Sequence, residues 1–211
     1  IVSLTSVLPA PKIDILLPAK ERFSPSNAGA ISGVVSDLVR ASKTAKHYRV
    51  LGTAVPTALV PNCFTGLRPK NSWFRGQNLG LAAAYLDLIQ TTGIPDLVEV
   101  HSRCQVARFL AKREPSLKIN LYLHNDPREM RAGKSVAERR YLLKKMAGIT
   151  CVSHYIRSCF LDGLEDCDSL KVKVGVALNG ANRWLKKQPT KENIILLAGR
   201  MVPEKGILEC A

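Results

Sequence analysis

The sequence lacks the short signatures that settle a protein's class at a glance. None of its six cysteines (63, 104, 151, 159, 167 and 210) forms a Cys-x-x-Cys pair, and no histidine follows at finger spacing. That argues against zinc modules and a disulfide framework, and for reduced thiols in a cytoplasmic protein. Cys104, Cys151 and Cys159 sit inside apolar patterns and read as small core residues. No apolar run reaches the roughly 18 residues needed to cross a bilayer. Ile1 to Pro9 is apolar but has no basic leader and no Ala-x-Ala exit, so it does not read as a signal peptide. With no initiating Met, the start is expected to lie inside a longer protein or at a processed end. A Gly-x-Gly-x-x-Gly fingerprint is missing, and the second strand lacks a terminal acid, which disfavours a dinucleotide enzyme. There is no Walker loop, no internal repeat and no low-complexity tract. No His or carboxylate cluster suggests a metal, and no cofactor is expected. Acidic residues are scarce: 17 Asp and Glu stand against 31 Lys and Arg, a formal charge of +14. Such an excess constrains partners rather than fold, and nucleic acid, an anionic membrane surface or a phosphate-rich substrate would each fit.

The 211 residues are 46% hydrophobic and 23% charged, an ordinary globular composition with room for one large domain or one and a half. Apolar runs alternate with amphipathic stretches. Lys12–Ala19, Tyr48–Val55, Asp96–Val100, Leu117–Leu123, Gly148–Val152, Val172–Leu178 and Ile194–Ala198 read as strands. Helical spacing marks Ile31–Val39, the stretch through Ala111, Ser135–Ala147 and the run Ile156, Cys159, Phe160, Leu164. This alternation predicts an α/β fold, a Rossmann-like doubly wound parallel sheet covered on both faces. Ligands of such sheets bind outside the carboxyl ends of the strands, so the loops after Ala19, Val100, Leu123, Val152 and Ala198 matter most. Pro56–Asn78 breaks the rhythm as a long loop carrying Arg68, Lys70, Trp73, Phe74 and Arg75. Asn179–Asn193 is polar and basic with a proline, and reads as an interdomain linker.

Chemistry-bearing residues gather at these loops. Ser24–Ile31 is a small-residue loop entering a helix, where backbone N–H groups and the positive dipole end can hold a phosphate; it also reads as a plain turn. Arg200-Met-Val-Pro-Glu-Lys-Gly206 follows an apolar strand and offers two cations suited to a diphosphate, or a solvated basic turn. His101 and His124 each end an apolar strand, and each is also explained by a hydrogen bond to a neighbouring carbonyl. Asn125 and Asp126 follow His124 and expose further polar groups. Ser153 reads as a helix N-cap, with contact to a ligand secondary.

Taken in order, these segments resemble glycosyltransferase family 4, whose members have the two-domain GT-B fold. Ile194–Gly206 (IILLAGRMVPEKG) looks like the opening strand and loop of the second domain. Ile149–Arg157 (ITCVSHYIR) resembles the strand-Ser-helix segment, and Leu178-Asn179-Gly180 the motif that closes the first domain. Asp96–Arg103 (DLVEVHSR) and Asn120–Asn125 (NLYLHN) look like the two His-bearing strand ends. Asn27-Ala-Gly-Ala-Ile, leading to Val34-Val35, resembles the Gly-Gly loop and first helix. The match is collinear over about residues 12–207. Departures are Ala28-Gly29 for Gly-Gly, Ala177 for Pro and Ala181-Asn182 for Val-Asp; the family's pair of Glu has no counterpart in this sequence.

The resemblance implies residues 1–178 as an acceptor-binding domain, 179–193 as a linker and 194–211 as the start of a nucleotide-sugar-binding domain. It implies Arg200 and Lys205 as holders of the donor diphosphate, Gly29 on the same cleft and His124 as the catalytic residue. His101, Asn125 and Ser153 would line the acceptor cleft. The implied activity is retaining, metal-independent hexose transfer from a nucleotide diphosphate sugar to a cell-envelope or polysaccharide acceptor, lipopolysaccharide or a lipid-linked glycan. Because the family's second domain is mostly missing from the sequence, the chain is expected not to transfer sugar alone, and its last strand offers an edge for self-association. Basic residues crowd 128–145, among them Arg139, Arg140, Lys144 and Lys145, and the 68–75 loop adds Arg68, Trp73 and Phe74. Together they suggest a peripheral enzyme on the anionic inner leaflet of the membrane. The competing reading is a basic nucleic-acid- or anion-binding Rossmann-like module without catalysis; no recognised nucleic-acid motif supports it.

Overall fold

The computed structural model describes residues 11–70 and 76–180. Twelve of its elements build the layers of the fold. In chain order they are β1 (Ile13–Leu16), α1 (Ala30–Ala41), β2 (Tyr48–Thr53), β3 (Phe64–Leu67), α2 (Gly76–Thr92), β4 (Leu97–His101), α3 (Cys104–Arg113), β5 (Ile119–Leu123), α4 (Val136–Lys145), β6 (Gly148–Cys151), α5 (His154–Leu161) and, after a short turn of helix, β7 (Val174–Val176). The seven strands form one sheet in the order β3-β2-β1-β4-β5-β6-β7. Every pairing is parallel. The winding reverses between β1 and β4, so the fold is the expected doubly wound, Rossmann-like α/β sheet, and its switch point lies where those two strands end.

Alternation along the strands sorts side chains onto two faces. One face carries Leu16, Leu51, Val98, Val100, Ile119, Leu121, Leu123, Ile149, Cys151 and Val174. Onto it pack Leu81, Ala82, Tyr85 and Ile89 of α2, Val106, Ala107 and Leu110 of α3, Leu142 and Leu143 of α4, and Ile156 and Phe160 of α5. Each fully buried side chain of this size contributes roughly 1.5–3 kcal/mol. A single acid stands in this layer. Asp14, 2% exposed, accepts from Arg49 Nε at 2.8 Å, Arg49 Nη2 at 2.7 Å and the Tyr85 hydroxyl at 2.9 Å. A bidentate cation and a hydroxyl offset the desolvation of the buried charge.

The opposite face is covered over β1 and β2 by α1, whose Ile31, Val35 and Val39 join Ile15, Leu17, Phe23 and Val50. Across β4, β5 and β6 it changes character. The register sets Glu99 opposite Asn120 and His101 opposite Tyr122, with Thr150 next in the row. Leu97 and Tyr122, the members with apolar bodies, belong to neither core cluster. Among the described residues, helices cover one face and, over β1 and β2, the other as well.

Pro56–Asn78 is not one long loop. It contains β3 and the first residues of α2. The strand escapes notice because it is only four residues, Phe-Thr-Gly-Leu, with a glycine inside it, at the sheet edge. Gly66 is required there: a Cβ would stand 2.9 Å from the Ala54 Cα. The α2 helix (GQNLGLAAAYLDLIQTT) is apolar on several sides, which blurs the periodic signal. Helix starts elsewhere obey their caps. Ser135 and Glu138 form a reciprocal capping box on α4, at 3.2 and 3.1 Å. From Ala181 onward, the linker and the last expected strand, with Arg200 and Lys205, lie outside the described residues, as do Trp73 and Phe74.

Candidate active site at the carboxyl ends of the central strands

The carboxyl ends of β4 and β5 bring His101 and His124 together. His101 Nδ1 and His124 Nε2 are 2.9 Å apart, a hydrogen bond whose direction depends on the tautomer. Tyr122 stacks against both rings, at centroid distances of 4.8 and 5.0 Å. His101 is 2% exposed, and its Nε2 lies 3.7 Å from Glu99 Oε2 without making a hydrogen bond. His124 is half-buried and borders exposed Asn125. Burial, and then the neighbouring His101, push the His124 pKa down to about 4. At neutral pH the imidazole is therefore uncharged, with one nitrogen donating and the other accepting. Burial and then Glu99 raise the Tyr122 hydroxyl, which stays protonated as well.

His101 was expected to line the acceptor cleft. It is buried there, and its Nδ1 faces His124 Nε2. Ser102, which follows it, was not singled out by the sequence. It is buried with φ of 52°, a left-handed conformation uncommon for a residue with a Cβ. Its N–H donates to Tyr122 O at 2.8 Å, and its hydroxyl accepts from the His124 N–H at 3.3 Å. The strained turn thus ties the end of β4 to the end of β5 and sets the height of His124. No sequence signal marks it, because a backbone angle has no letter.

A second cluster of polar groups runs down the strands from the histidines. Asn120 Nδ2 donates to Glu99 Oε1 at 3.2 Å, and the Asn120 amide and Thr150 hydroxyl are within 3.1–3.3 Å. Among the described residues no group of three or more His, Cys, Asp or Glu side chains could hold a metal ion.

The first loop differs from expectation. Gly29 is the N-cap of α1. The carboxylate of Glu21 fills the space beside it: a Cβ on Gly29 would meet Glu21 Oε2 at 2.1 Å. The same oxygen lies 3.4 Å from the Ser32 N–H. The seat assigned to a donor phosphate at Gly29 is taken by the chain's own anion, which suits the dipole end in the same way. At Ser153 the hydroxyl accepts from the Ile156 N–H at 3.1 Å, capping α5.

The basic cluster also sorts itself differently. Arg139 is 2% exposed, so it offers nothing to a membrane or other outside anion. Its guanidinium donates to the carbonyls of Phe160 (3.0 Å), Gly133 (3.2 Å), Lys134 (2.8 Å) and Asp162 (2.5 Å). Arg140 is paired with Asp166, and Arg128 with Asp126 and Asp162. Lys144 and Lys145 are exposed, as is Arg68. A run of like letters in sequence does not reveal that successive helical positions point into different surroundings.

No family model matches the chain, and no curated protein does. Among solved structures, the chain is similar to HepE from Anabaena, crystallised with UDP and glucose, at 14% identity and a TM-score of 0.53. The match covers 82% of this chain and 45% of that one. At such identity the likeness establishes the fold: this is a Rossmann-like unit of the kind found in GT-B proteins. A UDP-N-acetylglucosamine 2-epimerase from Rickettsia bellii is also similar, at 12% identity, over 81% of this chain and 45% of that one, with a TM-score of 0.47. The chain thus spans under half the length of either structure. None of the described helices is long and apolar enough to cross a membrane.

Proposed function

We propose that the chain is the acceptor-binding part of a glycosyltransferase of family 4, moving a hexose from a nucleotide diphosphate sugar to a cell-envelope or polysaccharide acceptor. The observation that carries this reading is the hydrogen-bonded His101–His124 pair, with His124 held neutral, beside the switch point of a GT-B-like sheet. A histidine held neutral by burial and oriented by a second ring can accept a hydrogen bond from an acceptor hydroxyl, or donate one to a departing phosphate oxygen, without placing a fixed charge in the cleft. The family resemblance supplies the rest. Arg200 and Lys205 would hold the diphosphate and stabilise the charge that develops as it leaves, in place of a metal, with anomeric configuration retained. No resident cofactor is needed, because the nucleotide sugar is a co-substrate.

Lys144, Lys145 and Arg68 remain as exposed cations that could face an anionic inner leaflet, and Trp73 and Phe74 are suited to the interface. Arg139 has no part in that contact. The test of the transferase reading is the kinetics of His124→Ala in the full-length protein, with nucleotide sugar as donor. A role in the transition state lowers kcat and kcat/KM together, by about 10²–10⁴-fold for a group that transfers or shares a proton. A variant with unaltered kcat would remove His124 from the chemistry.

A further inference from the structure

A small depression beside the switch point holds cations that neither the fold nor the histidine pair uses. It is lined by Asn78 from the first turn of α2, Arg103, Cys104 and Gln105 at the start of α3, and Glu129, Met130 and Arg131 from the loop after β5, and encloses about 190 Å³. That is below the roughly 300–1,000 Å³ of a pocket that takes a whole small molecule. It therefore suits one end of a larger ligand. Arg103 also borders the crevice between β1 and β4, together with His101 and Asn78.

The neighbouring arginines are already committed. Arg108 faces Glu138, Arg128 holds Asp126 and Asp162, Arg140 holds Asp166, and Arg139 donates to four carbonyls. Arg103 and Arg131 enter no salt bridge among the described residues. Arg103 donates only to Ser102 O, at 3.2 Å, and its Nε is buried with no partner. A guanidinium has five N–H donors, so most of this one's capacity is unspent, and a buried donor left unmet is destabilising. Among the described residues, the two non-glycine residues with left-handed φ, Ser102 and Ala132, stand directly beside these two arginines in sequence. Strain of that kind persists where the surroundings hold a particular side chain in place. The first turn of α3 contains no acid, and its N-cap makes no side-chain bond, so its N–H groups add to the positive field. On α1 the equivalent groups face Glu21.

We propose that Arg103 and Arg131, with Asn78, Gln105 and Glu129, form a subsite for a phosphorylated sugar on the acceptor. The arginines take the phosphate by forked hydrogen bonds. The amides and the Glu129 carboxylate take the hydroxyls beside it, which a bare phosphate does not carry. This assignment rests on the transferase reading, in which the donor diphosphate belongs to Arg200 and Lys205; the cations here then serve the acceptor.

The test is titration calorimetry of the 211-residue chain with glucose 6-phosphate, glucose and inorganic phosphate. Glucose 6-phosphate should bind at least tenfold more tightly than inorganic phosphate, with glucose alone giving no heat. Arg103→Gln with Arg131→Gln should weaken glucose 6-phosphate at least tenfold. Arg131→Gln alone, at an exposed loop position, should weaken it several-fold with an unchanged melting temperature, which covers the case of a double variant that fails to fold. Vesicles containing phosphatidic acid separate the sources of the phosphate. Competition between them and glucose 6-phosphate assigns the subsite to a lipid-linked acceptor, and its absence to a soluble or polysaccharide one. Glucose 6-phosphate binding that is undetectable in the parent chain, or unchanged in Arg131→Gln, overturns the subsite and leaves the transferase reading standing. Intact binding here, with no nucleotide sugar bound or turned over by the full-length protein, sinks that reading and leaves the subsite.

Discussion

The two faces of strands β4, β5 and β6 are made from alternating letters of the same short segments, yet they have separate tasks. Val98, Val100, Ile119, Leu121, Leu123, Ile149 and Cys151 lie under α2 to α5 and are at most 1% exposed. One residue along each strand, Glu99, His101, Asn120, Tyr122 and Thr150 form a hydrogen-bonded and stacked polar row that leads up to His124. A parallel sheet is ordinarily apolar on both faces. Here, among the described residues, the helices grip these strands by the first face, and the second presents polar groups at fixed spacing. Stability and chemistry are thereby one residue apart, and substitutions should tell them apart.

The largest effect should come from the apolar face. Leu121→Ala, at 0% exposure between α3 and the sheet, is expected to cost about 3–5 kcal/mol in urea unfolding, from lost transfer energy plus the cavity left behind. A cost under 1 kcal/mol would mean the helices do not grip the sheet as described. Next in size is Arg139→Met, which keeps the stem and removes the donors. Four carbonyls, two before α4 and two at the end of α5, lose their shared partner, and about 2–3 kcal/mol should go with them. Vesicle binding by this variant should match the parent's, since a residue at 2% exposure contributes no surface cation.

Arg139 also shows where sequence reading stops. Arg139 and Arg140 are neighbours in one basic run, but a helix turns about 100° per residue, and only packing decides which of the two is buried. Six of the seven described strands were legible, β4 and β5 because Leu-Val-Glu-Val-His and Ile-Asn-Leu-Tyr-Leu alternate at period two, and four of the helices because their apolar residues recur at helical spacing. The histidines were legible singly, each as the last polar letter of a strand. Their pairing was not, since it depends on the register that sets His101 opposite Tyr122. Gly29 was read as a phosphate seat because small residues precede a helix. Glu21, eight residues earlier, occupies it through a tertiary contact that no local pattern encodes. Arg131 was read only as one of the basic residues of 128–145 and Arg103 only as the end of a strand segment: they are 28 positions apart, and the fold alone places them on one depression.

The polar face should declare itself through pH. His124 has a pKa pushed down to about 4 in the folded chain, against an ordinary 6.5. Between those values the unfolded chain takes up a proton that the folded one refuses, so stability falls as pH drops from 6.5 towards 4 and levels off below. Above pH 6.5 this residue contributes no slope. The full shift would correspond to about 3 kcal/mol, and partial exposure reduces that to an expected 1–2 kcal/mol. Urea midpoints at pH 7.5, 6.0, 5.0 and 4.5, for the parent and His124→Gln, would isolate the effect. The parent should lose the extra stability over the lower three values, and the variant should not. Parallel curves would show that His124 titrates alike in the folded and unfolded chains, so that burial does not depress its pKa.

The smallest expected effect is the most discriminating between the faces. Thr150→Val exchanges a hydroxyl for a methyl of nearly the same shape in the middle of the polar row. The loss is one pair of side-chain contacts, from Asn120 Nδ2 at 3.1 Å and to Asn120 Oδ1 at 3.3 Å. A hydrogen bond of that kind is worth about 0.5–1.5 kcal/mol net when its partners stay dry. Thr150 and Asn120 are only half-buried, so water can replace part of the lost contact, and Asn120 keeps Glu99 Oε1 at 3.2 Å. Valine is at least as favourable as threonine in a strand. These terms nearly cancel, and the unfolding free energy should change by less than about 0.5 kcal/mol. The reverse exchange beneath the helices, Val98→Thr, would put an unpaired hydroxyl in place of a packed methyl, which is not neutral. A loss of 2 kcal/mol or more at Thr150 would mean that the polar row holds the sheet together as firmly as the apolar one, and the division of labour between the two faces would have to be given up.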